Sequence, residues 1–268
     1  MEMIQIIILG IIQGLTEFLP VSSSAHLILT PFLLNFDDQG LALDATLHLG
    51  TLLAILIYFK NDLLNIFTGL FDKKKDTHRL AWSILLASLP AGIIGFFSAN
   101  WIESSLRSPS FVGVNLLFWS LIFYFADHFS KSQKVLKTEL SKLSFSQIFF
   151  IGCAQAIALL PGTSRSGITI AAGLFSNLNH VAATRFSFLL GAPIIFAAGM
   201  HKLITLVAGP ATITNYTNLH LLIGLTISFF VGLLAINLLL KIVEKVGLMP
   251  FIIYRVVLAT AILFYYHG

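Results

Sequence analysis

The chain has 268 residues, of which 57% are hydrophobic and only 10% charged, and its mean hydropathy is +0.90. A soluble globular domain carries about 25% charged residues, so this composition excludes an ordinary soluble enzyme, a nucleic-acid binder and a disordered chain. The formal net charge of +4 reads as the cytoplasmic Lys/Arg excess of a polytopic membrane protein, not as a footprint for nucleic acid.

Apolar runs fall, in chain order, at 3–19, 25–34, 41–59, 80–100, 111–127, 146–160, 168–177, 183–208, 219–240 and 250–266. They are continuous rather than alternating, so the expected elements are helices. No basic region precedes the first run, so no cleaved signal peptide is expected. Cys153 lies in an apolar run and reads as a small packing residue. Runs 25–34 and 168–177 are too short to span a bilayer. Each follows a polar break, Pro20-Val-Ser-Ser-Ser24 in one case and Pro161-Gly-Thr-Ser-Arg-Ser-Gly167 in the other. Each pair of runs is therefore expected to form a re-entrant hairpin, with its non-helical turn buried in protein. The charged stretches 60–79 and 128–146 are expected to be loops.

The two breaks belong to a longer self-similarity. Gly10 and Gln13 recur as Gly152 and Gln155, Pro20 as Pro161, Leu49-Gly50 as Leu190-Gly191, and Pro109 as Pro250, all at offsets of 141 or 142. The expected fold is an all-α polytopic membrane protein, one integral domain over 1–268. It contains two repeats, about 1–130 and 146–268, joined by a linker at 131–145. Each repeat has one hairpin and three spans. Three is odd, so the second repeat must be inserted upside down, the inverted-repeat plan of many transporters. Lys60, Lys73, Lys74, Lys75 and Arg79, then Lys131, Lys134, Lys137 and Lys142, then Lys241 and Lys245 fall on one face of this plan. The other face has Arg107 and no Lys or Arg in 209–218, and Lys202 is ambiguous. The basic face is expected in the cytoplasm, with the first hairpin entering from outside and the second from inside.

Ionisable groups within membrane segments are costly and mark function by default. The first hairpin offers Gln13 and Glu17, four apart on one helix face, then Ser22, Ser23 and Ser24 at a helix start, then His26. The second offers Thr163, Ser164, Arg165, Ser166 and Thr169 around Gly162 and Gly167, again at a helix start. A helix N-terminus presents free N–H groups and a partial positive charge, and so takes phosphate readily. Arg165 adds a two-pronged phosphate clamp, and the glycines let backbone approach closely. Glu17 beside a phosphate makes sense as a ligand for an intervening divalent metal, or as an acid or base. These residues point to an anionic, phosphate-bearing ligand in the membrane. They do not by themselves dictate hydrolysis. Among the remaining polar groups, Asp44 and Arg185 are candidates for a pair across the repeat axis or for a ligand role. Arg255 is expected to snorkel to the headgroups. His48 reads as structural.

Gln13-Gly-Leu-Thr-Glu-Phe-Leu-Pro-Val-Ser-Ser-Ser-Ala-His26 and Leu160-Pro-Gly-Thr-Ser-Arg-Ser-Gly167 closely resemble the two signature motifs of the undecaprenyl-diphosphatase family, also called bacitracin-resistance proteins. Ala183-Thr-Arg-Phe-Ser-Phe-Leu-Leu190 and Pro250-Phe-Ile-Ile-Tyr-Arg255 resemble further family segments. The chain departs at Gln13, where many members have Glu, and at Ser24-Ala25, where Thr-Gly is common. The resemblance implies a multi-pass enzyme of the bacterial cytoplasmic membrane. Such an enzyme removes the terminal phosphate of undecaprenyl diphosphate at a site facing outward, with Mg²⁺ or Ca²⁺. It regenerates the carrier for peptidoglycan precursors. Its expected partners are this polyprenyl diphosphate and membrane lipids, and a homodimer stays open. On this reading Arg165, Ser164, Ser166 and the loop N–H groups hold the diphosphate, with Ser22, Ser24, Gly162, Thr163, Gly167 and Thr169 lining it. Glu17 and Gln13 hold the metal. Ser23 attacks phosphorus or positions a water that does, and His26 serves as base or is itself the nucleophile. The competing function is a transporter or flippase of a lipid-linked or phosphate-bearing anion.

Overall fold

The computed structural model describes residues 2–36, 38–74, 77–133, 135–208 and 216–267. Lys75, Lys134 and most of the connection 209–218 lie outside them, and nothing is described of the Lys202 side chain. In chain order the helices are α1 (Glu2–Thr16), α2 (Ser23–Leu34), α3 (Gly40–Tyr58), α4 (Lys60–Phe71), α5 (Thr77–Ser105), α6 (Pro109–Ser132), α7 (Phe145–Ile157), α8 (Arg165–Phe175), α9 (His180–Ala208), α10 (Asn218–Val246) and α11 (Met249–His267). No strand occurs among the described residues. An isolated bridge joins Lys137 in the linker to Leu178 after α8.

Among the described residues, six helices are long and apolar enough to cross a membrane: α3, the first 22 residues each of α5 and α9, and α6, α10 and α11. They coincide with the six expected spans. Local chemistry sets their starts. Ser108 caps α6 with Pro109 at its first position. Capping boxes open α7 (Ser144 with Gln147) and α10 (Thr217 with His220). α1, α2, α7 and α8 have 15, 12, 13 and 11 residues, roughly 16–22 Å of helix at 1.5 Å per residue, well short of a bilayer core. α1 packs on α2 and α7 on α8. The turns between them are inside protein, with Pro20 to Ser22 and Pro161 to Ser164 all buried. That is the condition under which irregular backbone survives at membrane depth.

The halves interlock. α1 packs on α10, α7 on α5, α3 on α9, and α6 on α11. The matched glycines Gly10 and Gly152 do the same work in the two halves. A Cβ at Gly10 would stand 3.0 Å from Ile227 of α10, and one at Gly152 2.7 Å from the Ala87 carbonyl of α5. Large apolar side chains such as Phe96, Phe97 and Phe264 point outward, the solvent of choice being lipid.

One expected loop is a helix. Residues 60–71 were assigned to a charged connection, but apolar residues at 63, 64, 66, 67, 70 and 71 recur with helical period, and α4 forms. It buries Ile66 and Gly69 against α5 and leaves Leu64, Phe67 and Phe71 exposed. The basic connections gather at one end of the bundle. Arg79 at the start of α5 donates to the Leu143 carbonyl of the linker (2.7 Å), and Lys131 at the end of α6 reaches the Val246 carbonyl at the end of α10 (3.4 Å).

Candidate active site

Glu17 is the meeting point of the two hairpins. Its N–H donates to the Gln13 carbonyl, which extends the last turn of α1 and aims the side chain inward, where it is 7% exposed. Oε2 accepts from Gln13 Nε2 (3.1 Å) and from the Ser23 hydroxyl (2.8 Å). Oε1 accepts from Arg165 Nη2 at 3.0 Å, a salt bridge between residues 148 apart in sequence. Arg165 also donates through Nη1 to the Ser187 carbonyl of α9 (3.2 Å). Its guanidinium lies over Gly191, where a Cβ would come 2.6 Å from Cζ. A buried ion pair is tolerable when further hydrogen bonds satisfy both partners, as they do here.

The two turns share one construction. Ser22 and Ser164, 142 apart, both sit at positive φ (77° and 75°), rare for a residue with a Cβ. Each is the N-cap of its helix and accepts from the N–H three residues on, at Ala25 and Gly167. Each hydroxyl also pairs with the serine two residues on, Ser24 (3.1 Å) or Ser166 (3.2 Å). The turns touch reciprocally: Gly162 N–H donates to Ser24 Oγ (3.5 Å), and the Ser166 hydroxyl donates to the Leu19 carbonyl (3.1 Å). Backbone strain of about 1–3 kcal/mol per residue persists only where surroundings over-determine it, and such places cluster at active sites. At the same offset Ser23 corresponds to Arg165, Glu17 to Leu159 and His26 to Ile168. One hairpin carries the carboxylate, hydroxyl and imidazole; the other carries the cation.

Several expected site residues face protein instead. Thr163 accepts from Asn115 Nδ2 (2.9 Å), which also holds the Pro161 carbonyl (2.7 Å), so it braces the second turn. Thr169 bonds the Arg165 carbonyl of its own helix (2.8 Å) and the Ser187 hydroxyl (2.6 Å). Gly162 adopts φ 91°, and a Cβ at Gly167 would run into the Phe123 ring. His26 approaches the Ser22 carbonyl through Nδ1 and the Tyr254 hydroxyl through Nε2, both at 2.7 Å. The Ser23 hydroxyl, for which His26 was a candidate base, donates to Glu17. His48 bonds the Asp44 carbonyl of its own helix (2.7 Å).

One of the two alternatives for Asp44 and Arg185, their mutual pair, is overturned, and so is the expectation for Arg255. Arg185 pairs with Asp62 (3.1 Å), not with Asp44, because α4 delivers that carboxylate to the side of α9; Asp44 accepts from Gln39 (3.4 Å). Arg255 does not snorkel. It is fully buried between α11 and α6 and donates to the Ser120 hydroxyl (3.0 Å), the Leu116 carbonyl (3.2 Å) and the Gly162 carbonyl (3.0 Å). Its guanidinium also stands 4.8 Å from the centre of the Phe123 ring. Arg255 thus anchors the second turn. Asn115 carries no sequence signal of its role, while Gly191 and Tyr254 are visible only within a repeat match and a family-like segment.

The described residues contain no cluster of three His, Cys, Asp or Glu side chains. The groups that could hold a divalent cation are the Glu17 carboxylate and the Gln13 Oε1, which is buried with no hydrogen-bond partner. Two such oxygens fit a cation that takes its other ligands from phosphate and water, the usual habit of Mg²⁺.

The model of the family described as bacitracin resistance protein BacA matches residues 6–261. The chain is 44% identical over 273 residues to undecaprenyl-diphosphatase 2 of Stutzerimonas stutzeri, covering all of both chains. It is 40% identical over 268 residues to undecaprenyl-diphosphatase 1 of Pseudoalteromonas translucida, and 40% identical over 267 residues to the undecaprenyl-diphosphatase of Idiomarina loihiensis, with 98% of each chain covered in both cases.

Proposed function

The chain belongs to the bacitracin resistance protein BacA family, and we propose that the centre joined by Glu17 and Arg165 is where it hydrolyses undecaprenyl diphosphate to undecaprenyl phosphate and inorganic phosphate. The reaction recycles the lipid carrier of peptidoglycan synthesis and underlies bacitracin resistance. The observation that carries the site assignment is the Ser23–Glu17–Arg165 chain of contacts, with a hydroxyl, a carboxylate and a cation drawn from both hairpins.

Those contacts support the following chemistry. Arg165 and the N-terminal N–H groups of α2 and α8 bind the diphosphate, with the Ser164 and Ser166 hydroxyls beside them. The Ser23 oxygen attacks the terminal phosphorus while its proton passes to Glu17, to which it already donates. The phosphoanhydride P–O bond breaks and undecaprenyl phosphate departs. Water then cleaves the phosphoserine, regenerating the hydroxyl and releasing phosphate. A divalent cation, Mg²⁺ or Ca²⁺, would be held by Glu17 and Gln13 and would supply neutralisation of charge on the phosphoryl oxygens. The polyprenyl tail lies between spans in contact with lipid, so no soluble domain is needed.

Further parts of the proposal concern placement. The repeats at about 1–130 and 146–268 are inverted in a bacterial cytoplasmic membrane, with the basic ends of the helices inside and the site open to the outer face. The matched Ser22 and Ser164 turns, and the reciprocal packing of α1 on α10 and α7 on α5, support this plan. All the residues invoked come from one chain, so catalysis does not require a homodimer.

Purified protein in detergent, given a polyprenyl diphosphate and Mg²⁺, is expected to release phosphate, to stop on addition of EDTA, and to stop on Ser23→Ala. Wild-type protein that releases none, yet moves the lipid in sealed vesicles, is a flippase and not a phosphatase. Turnover that survives Ser23→Ala leaves water or His26 as the nucleophile.

A further inference from the structure

This inference rests on the phosphatase reading of the Glu17–Arg165 centre. It concerns a residue of the last helix, far from both signature motifs in sequence. His26 sits in the first turn of α2, and its Nδ1 lies 2.7 Å from the Ser22 carbonyl oxygen. A carbonyl only accepts, so Nδ1 carries a proton. Nε2 lies 2.7 Å from the Tyr254 hydroxyl, with the two ring planes within 8° of parallel. In the neutral imidazole Nε2 is then the acceptor, and Tyr254 donates to it.

The other end of this chain is the strained cap. Ser22, at φ 77°, both accepts from His26 and immediately precedes Ser23, whose hydroxyl donates to Glu17. Next to Tyr254 on α11 is Arg255, which holds the Gly162 carbonyl of the opposite turn. Adjacent residues of one helix therefore secure one hairpin each.

We propose that Tyr254 is a positioning residue for the hydrolysis. Its hydroxyl fixes the His26 ring and tautomer, His26 in turn holds the Ser22 carbonyl, and the α2 N-terminus is thereby kept in the form that presents Ser23 to Glu17. Orienting a group through a second one is the general logic of activated nucleophiles. Here the last member of the chain is half exposed, with Tyr254 45% accessible.

The test uses the full-length protein in detergent and the variant Tyr254→Phe, which keeps the ring and removes the hydroxyl. Peptide-resolved carbethoxylation with diethylpyrocarbonate reads the freedom of the histidine lone pair. In Tyr254→Phe, His26 is expected to react several-fold faster while His128 and His220 keep their rates. On polyprenyl diphosphate the variant is expected to lose roughly ten-fold in kcat with KM unchanged, the penalty of a misplaced reacting group. A 3-fluorotyrosine at position 254, a stronger donor of nearly the same shape, is expected to slow His26 modification, and it decides the matter should Tyr254→Phe fail to fold. Unchanged His26 reactivity in these proteins overturns the proposal, as does a kcat equal to wild type in Tyr254→Phe. Wild-type protein that releases no phosphate would sink the site reading instead, while the reactivity of His26 would still report whether Tyr254 holds it.

Discussion

The two hairpins have one backbone plan and opposite chemistry. Both turn on a capping serine at positive φ, and both pair that serine with another two residues on. The first turn then places Glu17, Ser23 and His26 around its helix start, whereas the second places Leu159, Arg165 and Ile168 at the same offsets. Two turns of matching build thus carry a carboxylate in one case and a guanidinium in the other, joined by the Glu17–Arg165 salt bridge. The lesson is that one backbone plan can present two alike helix starts, at Ser22 and Ser164, and leave their side chains to set them apart.

That comparison can be broken by substitution. The largest effect is expected in the first hairpin. Ser23→Ala and Glu17→Gln should each lower kcat by about 10²–10⁴-fold, the usual worth of a positioned acid–base group, in a phosphate-release assay on protein of unchanged helicity. In the second hairpin, Arg165→Lys keeps the charge but loses the fork that spans Glu17 and Ser187. It should lower kcat/KM by roughly ten- to a hundred-fold, since Lys replaces a bidentate contact with a point charge. Next comes Gly191→Ala, whose methyl would collide with the Arg165 guanidinium. It is expected to raise KM by about ten-fold by displacing the cation, and saturation kinetics would show it.

Smaller effects should appear as stability rather than turnover. Arg255→Gln removes the side-chain donor to the Gly162 carbonyl of the second turn, whereas the Leu116 carbonyl of α6 keeps the Ser120 hydroxyl. Unsatisfied buried groups cost about 1–3 kcal/mol each, which thermal unfolding in detergent would register. The smallest change is expected at the half-exposed Asp62–Arg185 pair. Asp62→Asn should cost no more than about 1 kcal/mol and leave kcat unaltered; a large loss of activity there would mean that the pair belongs to the site.

The sequence made the spans and hairpins legible because each leaves a one-dimensional trace: an uninterrupted apolar run, or a short run cut by proline and serine. That Glu17 and Arg165 meet was legible because charge inside such runs is costly without a partner, and Gln13 and Ser23 were legible by their place beside Glu17. What escaped depended on which helix faces which. α4 is short and amphipathic within a charged stretch, so its period was overlooked, and with it the Asp62 partner of Arg185. Arg255 was misplaced because snorkelling assumes a lipid-facing stem, whereas its face of α11 meets the Ser120 hydroxyl and two carbonyls. Tyr254 stands in the family-like segment Pro250-Phe-Ile-Ile-Tyr-Arg255 but has no legible role there, since nothing local connects it to His26, 228 residues away.

The central claim is that one diphosphate is held jointly by both turns. It is tested most directly by an experimental structure of the protein with inorganic pyrophosphate and Mg²⁺. The account predicts phosphate oxygens within hydrogen-bond distance of the Arg165 guanidinium and, at the same time, a phosphorus facing the Ser23 hydroxyl at the start of α2. Pyrophosphate bound by one turn alone, with the Glu17–Arg165 bridge intact and Ser23 turned away from phosphorus, would contradict it.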